Sequence, residues 1–516
     1  MTIPPPQAEI AAWLAARSGA PPIETPISLV FLGPRTAWKL RKAVHRSFLD
    51  FTALADRHRF ALREYALNAA AAPGMYRDVV PVIRRRDGSL GFGTARIAPA
   101  RALDWVLRMA RVPAEDFLDR RATAGRLDAA LLTATADAVA AYHQRCKPAR
   151  VADAPAAMAA IVAGNVTAAL EAGLDPAAIA AWHDAVSVAL AALGPWLAAR
   201  ARAGFVRRAH GDLHLGNLCL WRGRVAPFDA LEFDEALATI DLGYDLAFLL
   251  MDLDRRAGRA AANAVLNRYV ARTGDVGLLA GLPAFLSLRA MIRAHVAARA
   301  GDPSAGPYLA AAAAYLRPAP ALLVAVGGLQ GSGKSTLARA LAPDLGRAPG
   351  ALVLRSDEIR KRQHGVAPEQ RLGSAAYTAE ASRRVFRTLA ADARRALAAG
   401  QAVVADATFL GAAQRRALAR ASDRALARAV GHAVGHAAGS GRFLGLWLEA
   451  PLTALAARIA TRRGDASDAT VTVLRASAAG ARPPRGWTRI DATNAAAALA
   501  AARTAVSARG HRSHRD

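Results

Sequence analysis

The segment VGGLQGSGKST, residues 326–336, constrains this chain more than any other stretch. It sets Gly328 and Gly333 around a short loop, with Lys334, Ser335 and Thr336 directly after, behind the apolar run ALLVAV and ahead of the helical pattern TLARALA. Strand, glycine-rich loop and helix in that order form a cradle for an anion. Gly328, Gly331 and Gly333 let successive backbone N–H groups curl around phosphate oxygens, and the helix N-terminus adds its dipole. Lys334 is set to neutralise β and γ phosphates, Ser335 to ligate Mg²⁺, and Thr336 continues the same turn. ATP with Mg²⁺ is the expected ligand. Strand-like runs near 322–327, 352–355, 402–405, 443–448 and 487–491, separated by helical patterns, predict an α/β layer structure with a parallel sheet.

In such a sheet, chemistry gathers at the carboxyl ends of the strands. LVLRSDEIR puts Asp357 at one end, where it can face an acceptor hydroxyl as catalytic base, with Arg360 a turn later to hold an anionic acceptor. AVVADATF puts Asp406 where it would hold the metal. ARIATRRGD sets Arg458 and Arg462 at i and i+4 on one helix face beside Arg463, a predicted lid over the phosphates. GHAVGHAAGSG, 431–441, reads as a loop in which His432 and His436 lack further metal ligands.

The first three hundred residues carry a second cluster. HGDLHLGN, 210–217, precedes the hairpin pattern LCLWRGRVAPFDA and sets Asp212 five residues before Asn217, with Asp229 at the end of the next strand. Phosphoryl transfer from Mg·ATP needs one base for the hydroxyl plus an amide and a carboxylate for the metal. The segment resembles the catalytic loop of aminoglycoside phosphotransferases and related small-molecule kinases, distant relatives of protein kinases. That resemblance implies Asp212 as catalytic base, Asn217 and Asp229 as Mg²⁺ ligands and His210 as the residue fixing the loop. It makes Asp241 and Asp245 of IDLGYDLAFLL structural. It also implies a lysine on an early strand and a glutamate on the next helix; Lys39 of AWKLRK and Glu64 of ALREYAL fit, with Lys42 a rival. No GxGxxG precedes Lys39, which leaves phosphate cover to another element such as the FLGPRT turn.

The C-terminal region is similar to the small P-loop kinases, namely the zeta-toxin group, gluconate kinase and the kinase part of polynucleotide kinases, on SDEIRK and DATF. The pairing of the two modules resembles a bacterial family of fused aminoglycoside-phosphotransferase-like and ATP-binding proteins. The expected fold is thus an α+β, protein-kinase-like bilobal domain over 1–315 (N-lobe about 1–101, C-lobe about 110–315). A linker at 316–321, marked by Pro318 and Pro320, leads to an α/β P-loop NTPase domain over 322–510 and a tail at 511–516.

Composition narrows the partners. The formal charge is +27, yet only five of the 68 basic residues are lysines and the arginines are spread through Ala-rich helices. A nucleic-acid footprint gathers its charge on one face, so a small-molecule alcohol is the expected acceptor. A polynucleotide 5′-hydroxyl is the alternative, and a non-catalytic ATP-binding regulator the non-enzymatic one. Two cysteines are too few for a disulfide framework. The N-terminus has no signal pattern and the sequence shows no apolar run near the ~18 residues of a membrane span. A cytoplasmic protein without membrane attachment is expected.

Overall fold

The computed structural model describes residues 3–46, 49–94, 97–98, 101–430 and 443–512, so the Gly/His loop 431–441 and the end of the tail lie outside the described residues. By internal contacts the chain forms two compact units, Met1–Ala152 with Ala198–Asp252, and Asp153–Leu197 with Leu253–Asp516. The contacts therefore group the residues differently from a division at 316–321.

The first unit is built on a six-stranded sheet of order β1 (Ile23–Glu24), β2 (Ser28–Leu32), β3 (Thr36–Arg41), β8 (Asp104–Ala110), β6 (Tyr76–Arg84) and β7 (Leu90–Phe92). A two-residue hairpin, β4 (His45–Arg46) and β5 (Leu49–Asp50), follows β3. All neighbours in the six-stranded sheet run antiparallel. A turn at Asp87 and Gly88 joins β6 to β7. Alternation decides the two faces. Leu29, Phe31, Leu40, Val82 and Val106 pack on Ile10 and Leu14 of the first helix, Ala8–Ser18. Val79 and Leu107 pack on Ala61 of the helix Leu54–Asn68 and on Cys219 and Ala226. The last two belong to the hairpin β10 (Leu218–Trp221) and β11 (Arg224–Pro227). A second small pair joins β9 (Val206–Arg208) to β12 (Thr239–Asp241).

In the second unit five parallel strands take the order β14 (Leu352–Arg355), β15 (Val403–Asp406), β13 (Leu323–Gly328), β16 (Phe443–Glu449), β17 (Thr488–Asp491). Central β13 is buried along its whole length, which a strand covered by helices on both faces requires. Val324, Val326, Leu446 and Leu448 pack against Leu337 and Leu341 of the helix Lys334–Leu341 and Ala498 and Ala502 of the last helix. The edge strand β14 is held from the side by the helix Arg259–Thr273. Asn263 Nδ2 donates to the Ala351 carbonyl at 3.0 Å, and Asn267 Oδ1 accepts the Val353 N–H at 2.6 Å.

One expectation is corrected. The helices Ala154–Glu171 and Pro176–Arg202 are long and apolar enough to cross a membrane by length and composition. Their many alanines raise apolarity without forming a bulky stripe. Both present a buried row to the protein: Met158, Val162, Asn165 and Ala169 on the first, and Trp182 on the second, whose Nε1 donates to Ser287 Oγ at 2.9 Å.

Candidate active sites

In the first unit, β3 and the helix Leu54–Asn68 bring two predicted residues together. Lys39 Nζ lies 2.9 Å from Glu64 Oε1 and 2.7 Å from Asp229 Oδ1. Opposite charges on three sides outweigh the burial that would otherwise lower the Lys39 pKa, and raise it. The rival Lys42 points elsewhere, into an ion pair with Glu24 at 2.6 Å. Asp229 sits in the left-handed region at φ 58, where its N–H donates to Tyr76 Oη at 3.0 Å. The next N–H, of Ala230, donates to Asn68 Oδ1 at 2.9 Å. Two residues not foreseen complete the network, because Arg41 binds Glu64 at 2.5 Å and Glu232 at 2.5 Å. The i, i+2 spacing of Lys39 and Arg41 puts both cations on one face of β3, but nothing local points to Glu232 as the partner.

The loop carrying Asp212 is fixed from below. Asp245 accepts the N–H groups of His210 at 3.0 Å and Gly211 at 2.9 Å, and also lies 3.1 Å from His143 Nε2. Asp252 accepts the Leu215 N–H at 3.0 Å. His210 Nε2 lies 2.9 Å from the Phe228 carbonyl, which can only accept, so the proton is on Nε2 and Nδ1 faces the Asp212 N–H at 3.4 Å. Burial lowers the His210 pKa, in keeping with this neutral tautomer. Asn217 Nδ2 donates to Asp212, to its carbonyl at 2.9 Å and its Oδ2 at 3.0 Å. Asp241 is bound elsewhere, by the Arg200 guanidinium at 2.6 and 2.9 Å. Lys39, Glu64 and Asp229 thus form one hydrogen-bonded set and Asp212 with Asn217 another, the two segments being joined by the Phe228 N–H, which donates to the Asn217 carbonyl at 3.1 Å.

In the second unit a cavity of about 610 Å³ opens at the carboxyl ends of the strands. Gly331, Gly333, Lys334, Ser335, Thr336, Asp357, Asp406, Arg458 and Arg462 all line it. Gly328 lies just behind, at φ 139, and a Cβ there would stand 2.6 Å from the Leu448 carbonyl. At Gly331 the same test gives 2.6 Å to the Leu455 carbonyl. The loop therefore has this course only with glycine. Ser332 Oγ is buried in the loop and has no hydrogen-bond partner among the described residues, and Lys334 Nζ donates to the Leu329 carbonyl at 2.7 Å. Burial draws the Lys334 pKa down against the pull of Asp406 and Asp357. An orphaned hydroxyl, a cramped ammonium and a glycine cradle fit a polyphosphate. Ser335 Oγ donates to Asp406 Oδ2 at 2.5 Å, a hydroxyl–carboxylate pair of the kind that holds Mg²⁺.

Asp357 sits in the first turn of the helix Ser356–Gln363, and burial raises its pKa despite nearby Arg355. Arg360 is 6% exposed, donates to the Ala376 carbonyl at 2.6 Å, and stands over the Tyr377 ring at 4.7 Å. Among the described residues it has no carboxylate within ion-pair distance, and its Nε has no partner. Tyr377 and Phe386 line the cavity, whereas Phe409 is wholly buried.

The arginine trio needs correcting. The helix ends at Thr461, so Arg462 is extended beyond it and does not share a helix face with Arg458. Its guanidinium instead accepts the task of closing the following loop, donating to the carbonyls of Ser467 and Ala469 at 3.0 Å each. Arg458 donates to the carbonyls of Ala492 at 2.9 Å and Thr493 at 2.8 Å. Arg463 turns back onto the carbonyls of Ala460 and Arg462 and does not line the large cavity. Arg355, also unforeseen, joins Glu358, Asp406 and Asp465.

Residues 323–484 match the model of the family described as AAA domain. An uncharacterized protein of Mycobacterium tuberculosis is 29% identical over 485 residues, covering 88% of this chain and 89% of the relative. One of Mycobacterium bovis matches with 29% identity over the same 485 residues. Among solved structures, a gluconokinase from Sinorhizobium meliloti is 20% identical, over 38% of this chain and 96% of its own, with TM-score 0.26. A thermostable mutant of an aminoglycoside phosphotransferase is 15% identical, over 60% of this chain and 98% of its own, with TM-score 0.37. The parallel-sheet part of the chain carries a P-loop nucleotide-binding domain.

Proposed function

We propose that the chain is a cytoplasmic, ATP-dependent phosphotransferase with two nucleotide sites, each passing the γ-phosphate to a hydroxyl of a small molecule. The observation that carries this reading is one cavity holding a glycine-built phosphate cradle, a hydroxyl–carboxylate pair for Mg²⁺ and a separate carboxylate, Asp357, with a raised pKa. Gly328, Gly331, Gly333, Lys334, Ser335 and Thr336 bind the triphosphate, and Arg458 and Arg462 border it. Asp357 takes the acceptor's proton as the new O–P bond forms and the bond to the β,γ-bridging oxygen breaks. Mg²⁺ neutralises phosphate oxygens when bound, held by Ser335 and Asp406 here and by Asn217 and Asp229 in the first unit. There Lys39, oriented by Glu64, binds phosphate, and Asp212 receives the proton. The Arg360 guanidinium, without a carboxylate at ion-pair distance among the described residues, favours an acceptor with an anionic group.

The test is ADP release by the full chain against sugars, sugar acids, nucleosides and oligonucleotides, repeated with Asp212→Asn, Lys334→Ala and both. Turnover of a small alcohol that falls in one single variant assigns the acceptor to that site. Labelling of RNA or DNA 5′-hydroxyl ends would replace the small-molecule acceptor, and nucleotide binding without turnover of any acceptor would leave a regulator.

A further inference from the structure

One buried cation lies outside the lining of the cavity. Arg355 closes β14, directly across from Asp406 at the end of β15, and is 3% exposed. It does not line the cavity, yet it grips three carboxylates: Asp406 Oδ2 at 3.2 Å, Glu358 Oε1 at 2.8 Å, and both oxygens of Asp465 at 3.1 and 3.2 Å. Asp406 is the metal-side carboxylate. Both of its donors, Arg355 and Ser335, take Oδ2, which leaves Oδ1 without a hydrogen bond among the described residues. Asp465 belongs to the 462–470 segment that borders the cavity. That segment is docked at a second point, since Asp468 Oδ2 accepts from Lys361 Nζ at 2.5 Å, Tyr377 Oη at 2.5 Å and the Leu372 N–H at 3.1 Å.

We propose that Arg355 is a positioning residue that couples cation binding at Asp406 to the docking of the 462–470 segment through Asp465. The inference rests on the nucleotide-site reading above. A guanidinium presents its donors in a rigid planar fork, so it cannot follow one carboxylate without changing its fit to the others. Buried charges also tolerate the loss of a partner poorly. A cation drawn onto Asp406 weakens that carboxylate's hold on Nε, and the guanidinium's compensation then falls to Glu358 and Asp465, which tightens the segment. With Asp465 removed, the guanidinium leans harder on Asp406 and competes with the cation.

The experiment uses the full chain and a fluorescent ATP analogue, taking as the signal of this site the part lost in Lys334→Ala. Mg²⁺ is titrated at fixed analogue, and hydrogen exchange is followed in peptides covering 462–470. Asp465→Asn touches no metal ligand. It is expected to raise the Mg²⁺ concentration for half-maximal binding about tenfold, equivalent to ~1.4 kcal/mol, and to speed exchange of the segment. Arg355→Lys, a point charge in place of the fork, is expected to shift both readouts as well, and covers the case in which Asp465→Asn does not fold. Faster exchange with an unmoved Mg²⁺ midpoint in either folded variant makes the contact merely structural and overturns the coupling. Wild-type chain with no analogue signal lost in Lys334→Ala overturns the nucleotide reading, and the coupling falls with it.

Discussion

In the proposed mechanism each site turns on a carboxylate, and for Asp357 burial raises the pKa. Asp357 must be ionised to accept a hydroxyl proton, and its raised pKa moves the acid limb of the P-loop site's rate profile to higher pH than an unperturbed aspartate gives. The measurement is turnover against pH in an Asp212→Asn background; an acid limb near pH 4 would contradict it. Asp212 is expected to behave as a base held at fixed geometry by Asn217. Replacing it by Asn should lower turnover of the first unit by ~10²–10⁴ while nucleotide affinity barely moves. Glu232 has a different task. It is 4% exposed and is one of the two carboxylates paired with Arg41, so Glu232→Gln leaves a buried guanidinium under-paired. Denaturant unfolding should register a loss of about 3 kcal/mol in this unit, whereas an exposed pair would register almost nothing.

Among elements, the phosphate loop offers a graded test, because its glycines differ in what a methyl group would meet. Alanine at Gly328 or Gly331 places a Cβ 2.6 Å from a backbone carbonyl, while at Gly333 nothing lies within 4 Å. The first two substitutions should abolish nucleotide binding to the P-loop. Gly333→Ala should cost only the strain of φ 85, of order 1–2 kcal/mol, seen as a weaker affinity by calorimetry. This loop was fully legible in the sequence because its constraint is local: strand, glycines and helix lie within a few residues. The five parallel strands were legible for a similar reason, each being a short apolar run between helices. β8 was not. It is central in its sheet and both faces are covered, so Asp104, Trp105, Val106 and Leu107 are all buried and show no two-residue alternation. Its leading residue is a carboxylate, held by the Trp105 N–H at 2.8 Å and by Arg57 at 3.0 Å and Gln7 at 2.6 Å, the last two too distant in sequence to foresee. Arg355 was hidden likewise. Its role depends on a strand pairing and a loop docking that no spacing rule encodes. The HGDLHLGN cluster was readable through its likeness to a known loop, whereas the Arg41–Glu232 pair, a long-range contact, was not.

At the scale of the molecule, the strand that carries Arg355 is also the one whose open side is covered by Asn263 and Asn267. Residues 318–516 expressed alone would lack both side chains. The amides of 352–355 are then expected to exchange much faster in the fragment than in the full chain; equal protection would mean that β14 supports itself. The opposite edge differs in character. β17 exposes Thr488 and Arg489 and carries an ion pair from Arg489 to Glu449 at 2.7 Å, charges of the kind that discourage another strand from adding on. β14 has no such deterrent along LVLR, where all four residues are buried. The two asparagines occupy the backbone groups that a foreign strand would need, so a helix of this chain performs the sanitary function of a missing sixth strand. Stripping it away should turn the parallel-sheet domain into a self-templating one, and light scattering of the fragment should grow with concentration while that of the full chain stays flat.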